Sequence, residues 1–163
     1  MKIKLFIMAF LFCYTMMYSQ SKFNIGFGLN EQFVKKDMGV NTEGFLSYNI
    51  NTDISLVLSA ANAKMKNDEL DVKYNLSKYA LQVNYDFAKS ETSKFESVFG
   101  FSYLNFDKKL ELDDNNGLGL DLGIQTMFDL DKRLNYGLRI VSTYSSISPG
   151  AILNAGILFK YNL

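Results

Sequence analysis

Apolar and polar residues alternate with a period of two along most of the chain beyond residue 21. The clearest stretch runs from Leu118 to Leu130, where Leu118, Leu120, Leu122, Ile124, Thr126, Phe128 and Leu130 alternate with Gly119, Asp121, Gly123, Gln125, Met127 and Asp129. Successive side chains of a strand point to opposite faces, so this spacing makes one apolar and one polar face. A helix over the same residues would spread the apolar side chains around most of its circumference and hold several glycines. The same alternation recurs from Phe23 to Asn30, Ile54 to Ala60, Leu81 to Phe87, Phe95 to Tyr103, Leu134 to Ile140 and Leu153 to Leu163, with a weaker segment from Val40 to Ile50. Eight strands are predicted, over 22–34, 39–50, 53–62, 71–87, 94–106, 118–130, 134–145 and 151–163. Within 71–87 the apolar parity changes between Leu76 and Tyr79, which predicts a bulge or an early section projecting beyond a membrane.

The connections sharpen the picture. Those after strands two, four and six are short and turn-like, around Asn51-Thr52, Ala88 to Ser93 and Asp131 to Arg133; the others include longer ones, Asn62 to Leu70 and Asp107 to Gly117. Short turns at one end, longer loops at the other and an even strand number are the pattern of outer-membrane barrels. Phe23, Tyr48, Tyr85, Phe87, Phe95, Phe128, Tyr136, Phe159 and Tyr161 fall near strand ends on the short-turn side, as an interfacial girdle would, with Tyr103 and Tyr144 toward the opposite end. Period two alone does not separate inside from outside, and a soluble barrel of the lipocalin type is the main alternative. Glycines and ionised residues sharing one face, aromatics at one level and alternating loop lengths favour the membrane sense.

Residues 1–20, MKIKLFIMAFLFCYTMMYSQ, carry Lys2 and Lys4, then an apolar run from Leu5, then small Ser19. This is the pattern of a secretory signal peptide, and the run is too short for a spanning helix. The expected organisation is therefore a signal peptide over 1–20 and one barrel domain over 21–163.

Composition removes most chemistry. Seventeen basic residues balance seventeen acidic ones, so no net field draws a polyanion, and a nucleic-acid partner is not expected. Histidine is absent, which excludes Ser-His-Asp and Cys-His constellations and the commonest metal ligand. The sole cysteine, Cys13, lies in the export segment. No catalytic, cofactor or metal residues are expected. Gly26-Phe27-Gly28 and Gly117-Leu118-Gly119 lie within or at the start of strands, as lumen glycines rather than phosphate loops. Asp113-Asp114-Asn115-Asn116-Gly117 lacks calcium-loop spacing and reads as a loop tip ending in an Asn-Gly turn. Glu43, Glu96, Asp121, Asp129, Arg139 and Lys160 share the inferred inward face and are expected to form a network of paired lumen charges, with Arg139 reaching Asp121 or another lumen carboxylate.

Across residues 22–163 this pattern resembles the small outer-membrane β-barrel family, the OmpA/OmpX-like group of the porin fold. The most specific element is Asn154-Ala155-Gly156-Ile157-Leu158-Phe159-Lys160-Tyr161, which looks like the family's C-terminal assembly signal, although Asn162 and Leu163 follow where the family commonly stops on an aromatic. The resemblance implies an all-β, eight-stranded antiparallel up-and-down transmembrane barrel in the bacterial outer membrane. It implies outer-membrane lipid and the barrel-assembly machinery as partners, the latter through Asn154, Gly156, Phe159 and Tyr161. Lipid-modifying enzymes on similar barrels use a His beside a Ser, and this sequence has none, so a non-enzymatic role is expected. An eight-stranded lumen is just wide enough for side chains to fill, which favours a structural or surface-interaction scaffold. A narrow pore, or a binder for a small or apolar ligand, is the alternative. An extracellular partner would meet loops 62–70 and 107–117.

Overall fold

The computed structural model describes residues 22–67, 71–108, 114–131, 133–148 and 150–163; the segment 1–20 lies outside them. Eight strands follow one another as β1 (Phe23–Val34), β2 (Asp37–Asn49), β3 (Ile54–Asn67), β4 (Val72–Lys89), β5 (Ser93–Phe106), β6 (Asn116–Asp129), β7 (Leu134–Ser145) and β8 (Ile152–Asn162). Each pairs antiparallel with the next, and β8 pairs with β1, closing the barrel. Closure leaves no sheet edge, so the strand backbones satisfy one another without water.

The wall is apolar on the outside. Ile25, Phe27, Leu58, Leu81, Phe101, Leu118, Ile124, Leu138 and Ile140 each expose half or more of their surface, while their neighbours in sequence face a closed interior. A soluble barrel would show the reverse polarity. Glycine lets the interior pack. A Cβ at Gly26 would strike the Phe45 ring and the Phe159 carbonyl, so the ring of Phe45 is accommodated only because Gly26 has no side chain.

At one end, which we term the turn end, three short connections share a device. Asn51 Oδ1 accepts from the amides of Asp53 and Ile54 at 2.8 and 2.7 Å, and Asp131 Oδ1 accepts from those of Arg133 and Leu134 at 2.6 and 2.8 Å. Ser90 Oγ accepts from the amides of Thr92 and Ser93 at 3.4 and 3.1 Å. A short polar side chain thus takes the place of a strand carbonyl at each reversal. The two amides, Arg133 first, hold the exposed Asp131 carboxyl below the usual carboxylate range. The sign follows: this turn contact is complete above the ordinary aspartate range and is lost as pH falls through the lowered value. Amide shifts of Arg133 and Leu134 are expected to show an acid step that Asp131→Asn removes while keeping the turn, as Asn51 does naturally. An unchanged step in that variant would assign it to another group.

Girdle rings meet near this end: Phe23 and Tyr48 tilted at 4.9 Å, Phe87 and Phe95 tilted at 6.5 Å, and Phe128 stacked on Tyr136 at 5.2 Å.

At the opposite, loop end three features depart from the sequence reading, and the parity change predicted in β4 is accounted for. Strand β3 runs to Asn67 rather than 62, so 62–67 is not loop but strand paired with Val72–Ser77. Here period two continues with its polarity inverted: Ala63 and Met65 point in, while Asn62, Lys64 and Lys66 point out. The parity change expected in β4 has the same cause. Tyr74 and Leu76 face inward in unbroken register, Lys73 and Asn75 face outward, and the one irregularity of this strand lies between Asp86 and Ala88. Asn116-Gly117 is not a turn; both residues pair with β5, as Asn116 to Asn105 and Gly117 to Leu104. Finally, the β1–β2 connection is only Lys35-Lys36, with Lys35 at φ 55°, so loop length does not alternate strictly around the barrel. Of the predicted loops, 68–70 and 109–113 lie outside the described residues.

Candidate functional site

The inward faces stack into layers along the lumen. Nearest the turn end is an open vestibule of about 1050 Å³, walled by Asn24, Asn49, Asp86, Lys94, Glu96 and Lys160 among others. Above it Phe45, Val57, Met127 and Leu158 form a small apolar cluster. Beside that cluster, Glu96 Oε2 accepts from Asn84 Nδ2 at 3.1 Å and from Gln125 Nε2.

The next layer carries two buried ion pairs. Lys78 Nζ lies 2.9 Å from Asp121 Oδ1 and donates to Thr143 Oγ1 at 2.8 Å. Arg139 Nη1 lies 3.1 and 3.0 Å from the two carboxylate oxygens of Glu43, across the barrel. Gln82 joins the pairs, donating through Nε2 to Asp121 Oδ2 at 2.6 Å and accepting at Oε1 from Arg139 Nη2 at 2.6 Å. Ser102 and Thr143 hydroxyls complete the Asp121 carboxylate at 3.0 and 2.7 Å. Strands β2, β4, β5, β6 and β7 each supply a member, and the contacts from β2 to β7 and from β4 to β6 and β7 join strands that share no backbone hydrogen bonds. A buried charge is tolerated when it is paired and its remaining valences are filled, as they are for Asp121.

Above lies an amide layer in which Asn41 Nδ2 donates to Gln32 Oε1 at 2.7 Å and to Asn154 Oδ1 at 3.0 Å. The loop end is then stopped by an apolar plug of Val34, Ala63, Met65, Tyr74, Leu76, Leu104, Phe106, Ile147 and Ile152, with Tyr74 donating to Asp37 Oδ2 at 2.8 Å. Two small lumen spaces between vestibule and plug are about 10 Å³ each, room for roughly one water.

Of the residues singled out in the sequence, Glu43 and Arg139 meet one another, while Asp121 is met by Lys78. Glu96 and Lys160 line the vestibule, and Asp129 accepts from Asn135 at its rim. Asn154 lies in the amide layer, and Gly156 sits opposite Asn30, where a Cβ would strike β1. Phe159 stacks on Phe27 at 5.0 Å, and the Tyr161 hydroxyl accepts from Arg133 Nη1 at 3.3 Å. Sequence reasoning missed Lys78, Gln82, Thr143 and Ser102 as members. The signal for Lys78 was present: carrying the parity of Asn84 and Gln82 two rungs further places it inward. Among the described residues, no group of three or more acidic or cysteine side chains could hold a metal ion.

A closed eight-strand up-and-down barrel with an apolar exterior and a side-chain-filled polar lumen defines the small OmpA/OmpX-like outer-membrane barrel fold. Comparison with solved structures gives the same class. The chain is similar to Neisserial surface protein A, at 10% identity over 86% of this chain and 96% of that one, with a TM-score of 0.60. It is equally similar to the N-terminal β-barrel domain of Pseudomonas aeruginosa OprF, at 12% identity over 86% and 97% and a TM-score of 0.60. The outer membrane enzyme PagL matches at 12% identity over 86% and 99%, again at 0.60. No family model matches the chain, and no curated protein matches it in sequence.

Proposed function

We propose that the chain is exported by the signal peptide at residues 1–20 and works in the bacterial outer membrane as a non-enzymatic scaffold. Its turn end faces the periplasm and its loop end the exterior. The observation that carries this reading is the stack of ion pairs, amides and apolar plug across the lumen inside a wall with an apolar exterior. Among the described residues such a stack argues against a continuous aqueous path, and the sequence has no histidine, the acid-base group a hydrolytic site ordinarily uses. Its function then resides in what it presents, and a surface partner would meet the loop 107–115 and the tip of the β3–β4 hairpin.

Purified protein in planar bilayers is expected to give no steady single-channel openings. Reproducible openings of fixed conductance would instead establish the narrow pore. Heat-modifiable gel migration, with surface protease cleavage confined to the loop end, tests location and orientation together.

The barrel-assembly machinery is the expected periplasmic partner, reading strand β8 before closure. Asn154 and Gly156 make the strand's inner face close-fitting against its neighbours, and Phe159 and Tyr161 mark its outer face. Changing Phe159 and Tyr161 to Ser is expected to cause far more periplasmic accumulation than changing Tyr85 and Phe87, which occupy the same girdle in β4. Equal insertion of the two double variants would reduce Phe159 and Tyr161 to girdle residues.

A further inference from the structure

The vestibule at the turn end, about 1050 Å³, is walled mainly by polar and charged side chains. Most of those charges answer one another near its rim. Asp53 and Asp86 share Lys89, at 2.5 and 3.3 Å, and Asp129 accepts from Asn135. Asp131 takes the amides of its own turn, and Arg133 donates to the Tyr161 hydroxyl. Glu96, Lys94 and Lys160 line the same space without an ion pair among the described residues.

Glu96 is buried, only 4% exposed. Its Oε2 accepts from Asn84 and Gln125, whereas its Oε1 accepts from no described residue. Asn84, 6% exposed, has a carbonyl oxygen that no described residue bonds. That side chain lines a small space of about 10 Å³, which shares Ser55, Met127 and Lys160 with the vestibule. A buried acceptor is stable only with a donor. The vestibule floor thus sets two acceptors in need of donors, on β4 and β5, against an ammonium in need of an acceptor, on β8. Strand β8 stands four places from β4 and three from β5 in a ring of eight, so the two signs occupy opposing walls.

From this juxtaposition we infer that the vestibule binds a short peptide with free ends, its ammonium held by Glu96 and Asn84 and its carboxylate by Lys160. A purely anionic ligand would face Glu96, Asp86 and Asp129, and a purely cationic one Lys94 and Lys160; a molecule with one charge of each sign meets both walls. Opposing walls favour a peptide over an amino acid, which carries both charges on one carbon, because each added residue separates the ends by about 3.3–3.6 Å. That the peptide arrives from the periplasm rests on the orientation proposed above.

Calorimetric titration of the full barrel in detergent micelles with trialanine tests the inference. Saturable binding of one peptide per barrel is expected. N-acetylation or C-terminal amidation of the peptide should each weaken it about tenfold, the worth of one charge-assisted contact. Lys160→Gln should weaken trialanine by the same factor and leave its amide unaffected, and Glu96→Gln should do so while leaving the N-acetyl peptide unaffected. Lys94→Gln, two residues nearer the mouth, should change little. The capped peptides probe the same contacts in the unaltered barrel, so a variant that fails to fold does not decide the matter. Equal binding of trialanine and its doubly capped form, alanine binding as tightly as trialanine, a larger loss at Lys94 than at Lys160, or no saturable binding would each overturn the inference. Micelles leave both ends of the barrel accessible, so none of these outcomes bears on the outer-membrane reading, whose orientation surface protease cleavage reports separately.

Discussion

Replacing Arg139 with alanine is expected to destabilise the barrel by roughly 3–5 kcal/mol, the cost of leaving a buried partner charge uncompensated. The Glu43 carboxylate would lose both contacts from Arg139 Nη1, and Gln82 Oε1 would lose the Arg139 Nη2 donor at 2.6 Å. Because Gln82 also holds Asp121, the loss would reach the second ion pair through one side chain. Replacing Arg139 and Glu43 together with methionine should recover most of the stability, since an apolar pair carries no desolvated charge. The measurement is reversible urea unfolding from lipid vesicles, with Arg133→Ala as a turn-end control expected to lie near zero. An Arg139→Ala variant as stable as the parent would mean that the layer is hydrated and contributes no cross-brace.

On the opposite face of β6, Ile124→Arg is expected to cost roughly 2–4 kcal/mol, as for an arginine near the bilayer midplane, and the same change at Leu118 markedly less. Both side chains point outward and are exposed, at 58% and 74%, so neither substitution disturbs lumen packing. Any difference between them therefore reports depth in hydrocarbon. Leu118 lies near the loop end, where a long cationic side chain can reach headgroups. Equal penalties, or equal folding without lipid, would favour a soluble barrel.

Strand number, type and facing were legible because hydrocarbon outside and a polar interior impose opposite demands on alternate residues through most of the wall. Leu118 to Leu130 is the clearest case. Legibility failed where the outside becomes water. From Asn62 to Asn67 and from Val72 to Ser77 the alternation persists, but Met65 and Leu76 turn inward and lysines outward, so a reading keyed to one polarity ends β3 early and sees a parity change in β4. The lumen network was only partly visible for a related reason. Parity assigns Glu43, Asp121 and Arg139 to the interior, but which cation meets which carboxylate depends on side chains crossing the barrel between strands distant in sequence. Lys78 against Asp121, and Glu43 against Arg139 from residues 96 apart, are pairings of that kind.

The apolar plug at the loop end has a kinetic consequence. Its nine members come from β1, β3, β4, β5, β8 and the 146–151 connection, so it is complete only after every hairpin has crossed the bilayer. Once closed, it behaves as a small water-soluble core held on the far side of the hydrocarbon. Withdrawing any one hairpin would first expose several of these side chains to water, at about 1.5–3 kcal/mol for each large one. In the orientation proposed above, a hairpin could then leave the bilayer only after this core had opened.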